Sequence, residues 1–337
     1  MDFSNLSIAR PPQISSEWKL GDYLGALRVR FSIGRKRYRI QPGLYRLGQP
    51  GKDSEVFVSA NYKLSFDLLR KSLTGIDAWI LVLETYGINV WCAAGKGTFG
   101  SDEMIRQIRQ TQLELYVSHK RLIVPQLGAP GVSVQKVRQA SGFSIRFGPV
   151  RAADIHAYLT SGYSKDEAAR RVEFKFRDRL ILCPVELVNS LFYLFIATVL
   201  FVILSGLHPE GFSFELMLEE GLKSVLFLVT AYLSGAFLAP LLLPFLPFRY
   251  FGGKGLLAGF LVSGGIVLLG NLGLGILSML GWLFLSGAIS SYLTMNFTGS
   301  STYTSLSGVR KEMRIFVPIQ ISFALSGLSL VIISKLV

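Results

Sequence analysis

From residue 255 to residue 309 the chain carries no Asp, Glu, Lys, Arg or His. A run of that length exceeds one helix and is too apolar for a soluble loop, so the fold must shield it from water. Three further uncharged windows, 187–207, 224–248 and 315–334, are each long enough to cross a hydrocarbon core of about 30 Å. The 255–309 run has room for two more spans, with Asn271-Leu-Gly-Leu-Gly275 as the turn between them. The expectation is an all-α transmembrane domain of five helices over 186–337.

Charge is divided just as sharply. Residues 1–185 hold 28 Lys plus Arg and 16 Asp plus Glu, against 7 and 6 in 186–337, so 12 of the 13 net positive charges belong to the first part. A basic soluble domain tethered to a membrane is drawn to anionic headgroups. No nucleic-acid-binding pattern accompanies the charge, so membrane lipid is expected as a partner and nucleic acid is not. The first eighteen residues lack a basic region followed by an apolar one, so no secretory signal is expected. Arg249, Lys254, Arg310, Lys311 and Arg314 fall on the side of the basic domain, and the acidic loop of Glu210, Glu215, Glu219 and Glu220 on the other. The positive-inside rule then places a multi-pass chain in the cytoplasmic membrane, with its N-terminal domain in the cytoplasm. No ionisable residue falls inside the expected spans, which favours an anchor over a transporter. Gly264, Gly265, Gly270, Gly273 and Gly275 are expected to allow close helix packing, and Pro240, Pro244 and Pro247 to kink or end the second span.

Residues 1–54 form a basic lead-in with no assignable element. From 55 to 163 strands and helices alternate: strands at 55–60, 78–83, 121–125 and 143–147, and helices at 65–72, 102–118 (capped by Ser101), 132–139 and 151–160. Residues 88–91 read as extended, and 164–185 as a linker to the membrane. The alternation predicts an α/β domain with a parallel, Rossmann-like sheet, whose ligands bind beyond the carboxyl ends of the strands. The segments there are 61–63, 85–100, 126–131 and 148–149.

The richest of these is Asn89-Val90-Trp91-Cys92-Ala93-Ala94-Gly95-Lys96-Gly97-Thr98-Phe99-Gly100. As a phosphate-binding loop of the Walker type it fails twice, with Val90 where a glycine is required and Gly97 where Ser or Thr should follow the lysine. Gly95, Gly97 and Gly100 match a dinucleotide fingerprint, but the acid expected about 20 residues on is missing. In a third reading Cys92 is a metal ligand, with Trp91 as an apolar wall and small residues that let a flat ring approach; against it stands a cysteine that merely packs. Cys183 reads as packing. His119, His156 and His208 show no ligand spacing.

The octet Asn89 to Lys96 resembles the signature of the HgcA family, the corrinoid proteins of microbial mercury methylation, related to corrinoid subunits of the acetyl-CoA pathway. Ala60-Asn61-Tyr62-Lys63, Gln126-Leu-Gly128-Ala-Pro-Gly131 and Phe147-Gly-Pro-Val150 resemble further segments of that family. The resemblance implies a corrinoid-binding α/β domain over 55–163 and a cobalamin-type cofactor beneath a cap helix. It implies Cys92 as the cobalt ligand, with Asn61, Gly128, Gly131 and the octet Asn89, Val90, Trp91, Cys92, Ala93, Ala94, Gly95 and Lys96 around the cofactor. The implied activity is methyl transfer from a methylated cobalt corrinoid to Hg(II), fed by a methyl donor of the methyltetrahydrofolate pathway. A 4Fe-4S cluster needs four thiolates and this chain has two cysteines. The implied electron source is a separate ferredoxin-like protein with two 4Fe-4S clusters, HgcB in that family. Two alternatives stay open: a corrinoid methyl carrier for another acceptor, and a noncatalytic membrane receptor whose α/β domain binds a nucleotide.

Overall fold

A computed structural model describes residues 10–300 and 306–337. The chain divides into two compact units, one running to Glu173 and the other comprising Phe174–Val337 with Arg30–Ser32.

The first unit is built on a six-stranded sheet of β1 (Gln13–Ile14), β2 (Gly43–Leu47), β3 (Val56–Ala60), β4 (Ala78–Leu83), β5 (Arg121–Val124) and β6 (Ser144–Phe147), in the order β1-β2-β4-β3-β5-β6. The sheet is mixed, which corrects the wholly parallel expectation. β4, β3, β5 and β6 are parallel, but β2 runs antiparallel to β4, with Leu44 opposite Leu81. Part of the lead-in that had no assigned element thus belongs to the sheet.

Ala-Trp-Ile-Leu-Val-Leu in β4 and Val-Phe-Val-Ser-Ala in β3 are buried throughout, because both sheet faces are covered. Alternate residues serve opposite cores. Val56, Val58, Leu81 and Leu83 pack with Met104, Ile105 and Ile108 of α4 (Ser101–Gln110) and Val137 of α5 (Val134–Ser141). Phe57, Ile80 and Val82 pack with Phe66, Leu69 and Leu73 at α2 (Lys63–Ser72), and with Ile155 and Tyr158 of α6 (Ile155–Thr160).

α4 is shorter than the 102–118 expected. It stops at Gln110, Gln112 turns into the left-handed region at φ 48°, and a 3-10 turn, Leu113–Leu115, follows. Its cap position is Gly100, and Ser101 is already helical. Residues 88–91 are not extended: α3 (Val90–Lys96) begins there.

α1 (Leu20–Arg30) lies in the former lead-in. Asp22 reaches Lys63 at 2.7 Å and Arg70 at 2.8 Å, while Asp67 meets the same two cations at 2.6 and 2.8 Å. Arg70 also donates to the carbonyls of Ser15 and Glu17. Four charges and two carbonyls therefore clamp the lead-in to α2.

Among its described residues the second unit contains five helices long and apolar enough to cross a membrane: Phe176–Leu204, Phe214–Leu241, Phe251–Leu269, Ile276–Gly299 and Ser307–Leu336. The first begins within the expected linker. The second ends at Leu241 rather than 248, after a π-helical turn at Ser234–Leu238 and Pro240, so Pro244 and Pro247 lie beyond it. The packing glycines also differ from those expected. A β-carbon at Gly264, Gly265 or Gly275 would meet nothing within 4 Å, whereas one at Gly255 or Gly259 would lie 2.5 Å from the carbonyl of Ser290 or Ser286. Ser290 Oγ donates to the Gly255 carbonyl at 2.7 Å, so small residues bring the third and fourth helices into backbone contact and bond them there. The helices extend past the uncharged windows and take in Glu186 and Glu312. Glu312 accepts the Gly252 N–H at 2.7 Å, satisfying an unpaired donor in the first turn of the third helix.

Candidate functional site

The parallel strands β4-β3-β5-β6 follow a doubly wound order. The chain leaves β3 toward β4, then returns past β3 to β5, so the strand direction of travel reverses beside β3. Crevices at such reversals collect ligands. The strand-end segments gather at this edge.

Asn61 follows the last residue of β3 and is buried. Its Oδ1 accepts from Thr85 N at 3.1 Å, Thr85 Oγ1 at 2.9 Å and Gly87 N at 3.0 Å, and its Nδ2 donates to Glu84 Oε1 at 2.7 Å. Glu84 Oε1 also takes the Tyr86 N–H at 2.7 Å, and Glu103 Oε1 takes the Glu84 N–H at 2.8 Å. Tyr86 and Gly87 both have positive φ, 58° and 74°. A turn of that kind needs outside support where a non-glycine residue sits in it, and Asn61 with Glu84 supplies it.

α3 starts immediately after this turn. Asn89 is its cap, with Oδ1 accepting the Cys92 N–H at 2.9 Å, and Gly97 closes it in the left-handed conformation at φ 80°. Within these seven residues Val90, Ala93 and Ala94 are buried in the core, while Gly95 and Lys96 are exposed. Trp91 and Cys92 are half-buried. Helical spacing puts Gly95 one turn from both Trp91 and Cys92, and Lys96 one turn from Cys92. A β-carbon at Gly95 would meet nothing within 4 Å. The thiol thus belongs to a helix face where the next turn has no side chain and open space beyond it.

The segment Gln126–Gly131 after β5 is a 3-10 turn laid against this helix. A β-carbon at Gly131 would fall 2.2 Å from the Phe99 carbonyl and 3.1 Å from Ala94 Cα; one at Gly128 would fall 2.5 Å from the Phe99 ring. Both glycines therefore seat α3 and buried Phe99. The match of Gly95, Gly97 and Gly100 to a dinucleotide fingerprint has no phosphate cradle behind it. Those glycines close α3 and precede α4, whereas a fingerprint turn joins a strand directly to its helix.

Glu84 and Glu103 lay outside the segments that sequence reasoning picked out, while Thr85 and Phe99 fell inside residues 85–100 without a role of their own; only the strand-end position of Glu84 could have signalled it. His119 is occupied structurally, with Nε2 against the Ser54 carbonyl at 2.9 Å. Cys183 is fully buried among Leu241, Leu243, Phe251 and Phe297. Among the described residues no group of three or more His, Cys, Asp and Glu could hold a metal ion. A lone accessible soft donor suits a metal whose remaining positions are filled by a ring it brings along. A corrinoid fits that donor set and the open face beside Gly95.

Fold and site together define an α/β domain with one half-buried thiol beyond the carboxyl ends of its parallel strands, followed, among the described residues, by five long apolar helices. Residues 24–159 match the family model described as CdhD, CO dehydrogenase/acetyl-CoA synthase delta subunit. The chain is 29% identical over 146 residues to the acetyl-CoA decarbonylase/synthase complex subunit gamma of Archaeoglobus fulgidus, covering 42% of this chain and 31% of that protein. It is 28% identical over 144 residues to the corresponding subunit of Methanopyrus kandleri, with the same coverage, 42% and 31%. It is 26% identical over 122 residues to the corrinoid/iron-sulfur protein large subunit of Moorella thermoacetica, covering 36% of this chain and 27% of that protein. The chain thus spans about a third of the length of these relatives. The similarity to acetyl-CoA decarbonylase/synthase and corrinoid/iron-sulfur protein subunits thus lies in the α/β unit.

Proposed function

We propose that this chain is a membrane-anchored corrinoid protein of the HgcA type, which passes a methyl group to Hg(II), with Cys92 as the residue that would hold the corrinoid's cobalt. The observation that carries the reading is the place of Cys92: half-buried, in the first turn of a capped helix, beyond the carboxyl ends of the parallel strands in a domain similar to a corrinoid/iron-sulfur protein large subunit. When bound, the corrinoid supplies a cobalt-held methyl group that leaves with its bonding electron pair toward an electrophile.

The chain's own residues define the setting. Asn89 satisfies the Cys92 amide and holds the first turn, which leaves the sulfur free to donate. A thiolate is a soft anionic donor, and a Cys92 thiolate holding the corrinoid's cobalt would add electron density to the metal, which would suit an electrophilic acceptor such as Hg(II). Gly95 keeps the neighbouring turn flat, Trp91 walls one side, and Val90, Ala93 and Ala94 anchor the helix from below. Asn61, Gly128 and Gly131 set where that helix stands, and Lys96 adds positive charge at its exposed end. The five long apolar helices cross the cytoplasmic membrane, with the soluble domain on the cytoplasmic side where Arg249, Lys254, Arg310, Lys311 and Arg314 fall. Electrons come from a ferredoxin-like partner of the HgcB type with two 4Fe-4S clusters, and methyl groups from the methyltetrahydrofolate pathway.

The test is anaerobic purification of the full chain with its visible spectrum, alongside methylmercury assays on cells with and without the gene. Corrinoid absorbance that shifts on Cys92→Ala and gene-dependent methylmercury are expected. A colourless protein with affinity for nucleotides would overturn the cofactor; bound corrinoid without methylmercury would overturn the acceptor.

A further inference from the structure

α1 carries apolar residues on two opposite faces. Its inner face is accounted for: Ala26 and Val29 are buried, and Asp22 is bound to Lys63 and Arg70. Its outer face is not. Leu20, Leu24 and Leu27 are 74%, 57% and 55% exposed, and Tyr23 is about half exposed.

At 100° per residue, Leu20, Tyr23, Leu24 and Leu27 fall within one stripe, and Arg28 and Arg30 lie roughly 80° to either side of Leu20. The stripe therefore has a cation on each shoulder. Between Lys19 and Arg39 there are seven basic residues and one acid, and that acid, Asp22, is neutralised on the inner face. An apolar stripe with basic shoulders is the chemistry of a helix lying in the headgroup layer of an anionic bilayer, with leucines in the acyl boundary and arginines at phosphate depth.

We infer that α1 is an interfacial helix that docks on anionic phospholipid. The inference rests on the membrane placement proposed above and is independent of Cys92. The soluble unit ends at Glu173 and the first long apolar helix begins at Phe176, so the tether is short and holds α1 at high local concentration near the bilayer. Marginal apolar burial by a few side chains then suffices for docking. The clamp of Asp22 and Asp67 on Lys63 and Arg70 transmits the docking to α2 and the sheet, so the whole domain is restrained rather than the helix alone.

The experiment uses the full chain in vesicles of phosphatidylcholine alone or mixed with phosphatidylglycerol, with photoreactive benzoylphenylalanine at Leu24 and, as a control, at Gln135 on exposed α5. Carbonate-resistant incorporation, measured first, reports the membrane spans separately from the label; failure to incorporate overturns both readings. The expected result is a phospholipid adduct at Leu24 and none at Gln135. Its yield should rise with phosphatidylglycerol and fall by roughly an order of magnitude in Arg28→Ala/Arg30→Ala. An adduct from Leu24 to residues 174–337, to a second copy or to another protein would overturn the inference, as would a lipid yield equal to the control. The label at Leu27 repeats the test if the Leu24 variant fails to fold.

Discussion

Asn61 Oδ1 accepts the Gly87 N–H at 3.0 Å, joining the end of one central strand to the turn that follows its neighbour. Through this bond and three others the buried amide sets where α3 begins, and with it the height of Cys92 at the sheet edge.

Removing that amide strands several buried donors at once. Asn61→Ala is expected to destabilise the soluble domain by about 2–3 kcal/mol, since each orphaned buried donor costs roughly 1–3 kcal/mol. Asn61→Asp keeps the acceptor but loses the donor to Glu84, and places like charges together. Thermal unfolding of the detergent-solubilised chain, followed by tryptophan fluorescence, should show both variants below the parent. An unchanged midpoint for Asn61→Ala would refute the account of the turn.

Loss of the Asn89 cap should be milder and local. Asn89→Ala is expected to cost about 1 kcal/mol, with Asn89→Ser recovering most of it. Hydrogen exchange at the Cys92 amide is the direct readout, because that N–H donates to the Asn89 side chain. Exchange should accelerate in Asn89→Ala and return toward the parent rate in Asn89→Ser.

Two glycine substitutions should separate seating from access. Gly131→Ala puts a methyl group 2.2 Å from the Phe99 carbonyl, a backbone clash expected to cost about 1–3 kcal/mol. Gly95→Ala meets nothing and should raise helix stability by up to about 1 kcal/mol. Under the proposed function, the same Gly95→Ala methyl group intrudes beside the thiol and lowers corrinoid loading. A stabler protein with full loading would count against a ring on that face.

The clamp between α1 and α2 should fail in acid. Burial alone would raise the Asp22 pKa, but hydrogen bonds from Lys63, the Lys19 amide and Arg70 outweigh it and hold the carboxyl at about 2. A carboxylate with a depressed folded pKa stabilises the native state above its unfolded value, and that contribution drains away as pH falls through the folded one. The Asp22 contribution should therefore be complete above about pH 4 and disappear toward pH 2. Unfolding midpoints of the parent and Asp22→Asn, measured across that interval, should differ at the upper end and converge at the lower.

Legibility in the sequence followed the strength of each local signal. β4 was readable to the residue because both its faces are buried and the run is uniformly apolar. The five long apolar helices stood out because charge is absent along most of their length. β2 was unreadable: Gly-Leu-Tyr-Arg-Leu is short and mixed, and its place is decided by antiparallel pairing to β4. The start of α3 misled because Val90 and Trp91 favour strands, while a single amide, Asn89 on Cys92, decides for helix. The end of α4 had no punctuation, since Gln112 adopts positive φ without being glycine or asparagine. Of the candidate site, residue type alone left Cys92 between a metal ligand and a packing cysteine, and it was the resemblance of the octet Asn89 to Lys96 that singled it out. The support from Asn61, Glu84 and Glu103 was not legible, because hydrogen bonds between distant segments leave no periodic trace.

The approach of Gly131 to the Ala94 backbone sets a gauge of main chain against main chain beneath the thiol. Such a gauge is indifferent to most of the side chains around it. A saturation library over 126–137 should accordingly be permissive at the exposed positions 134–136 and closed at 131. Where many surface residues drift, the sulfur would still be carried at one fixed level.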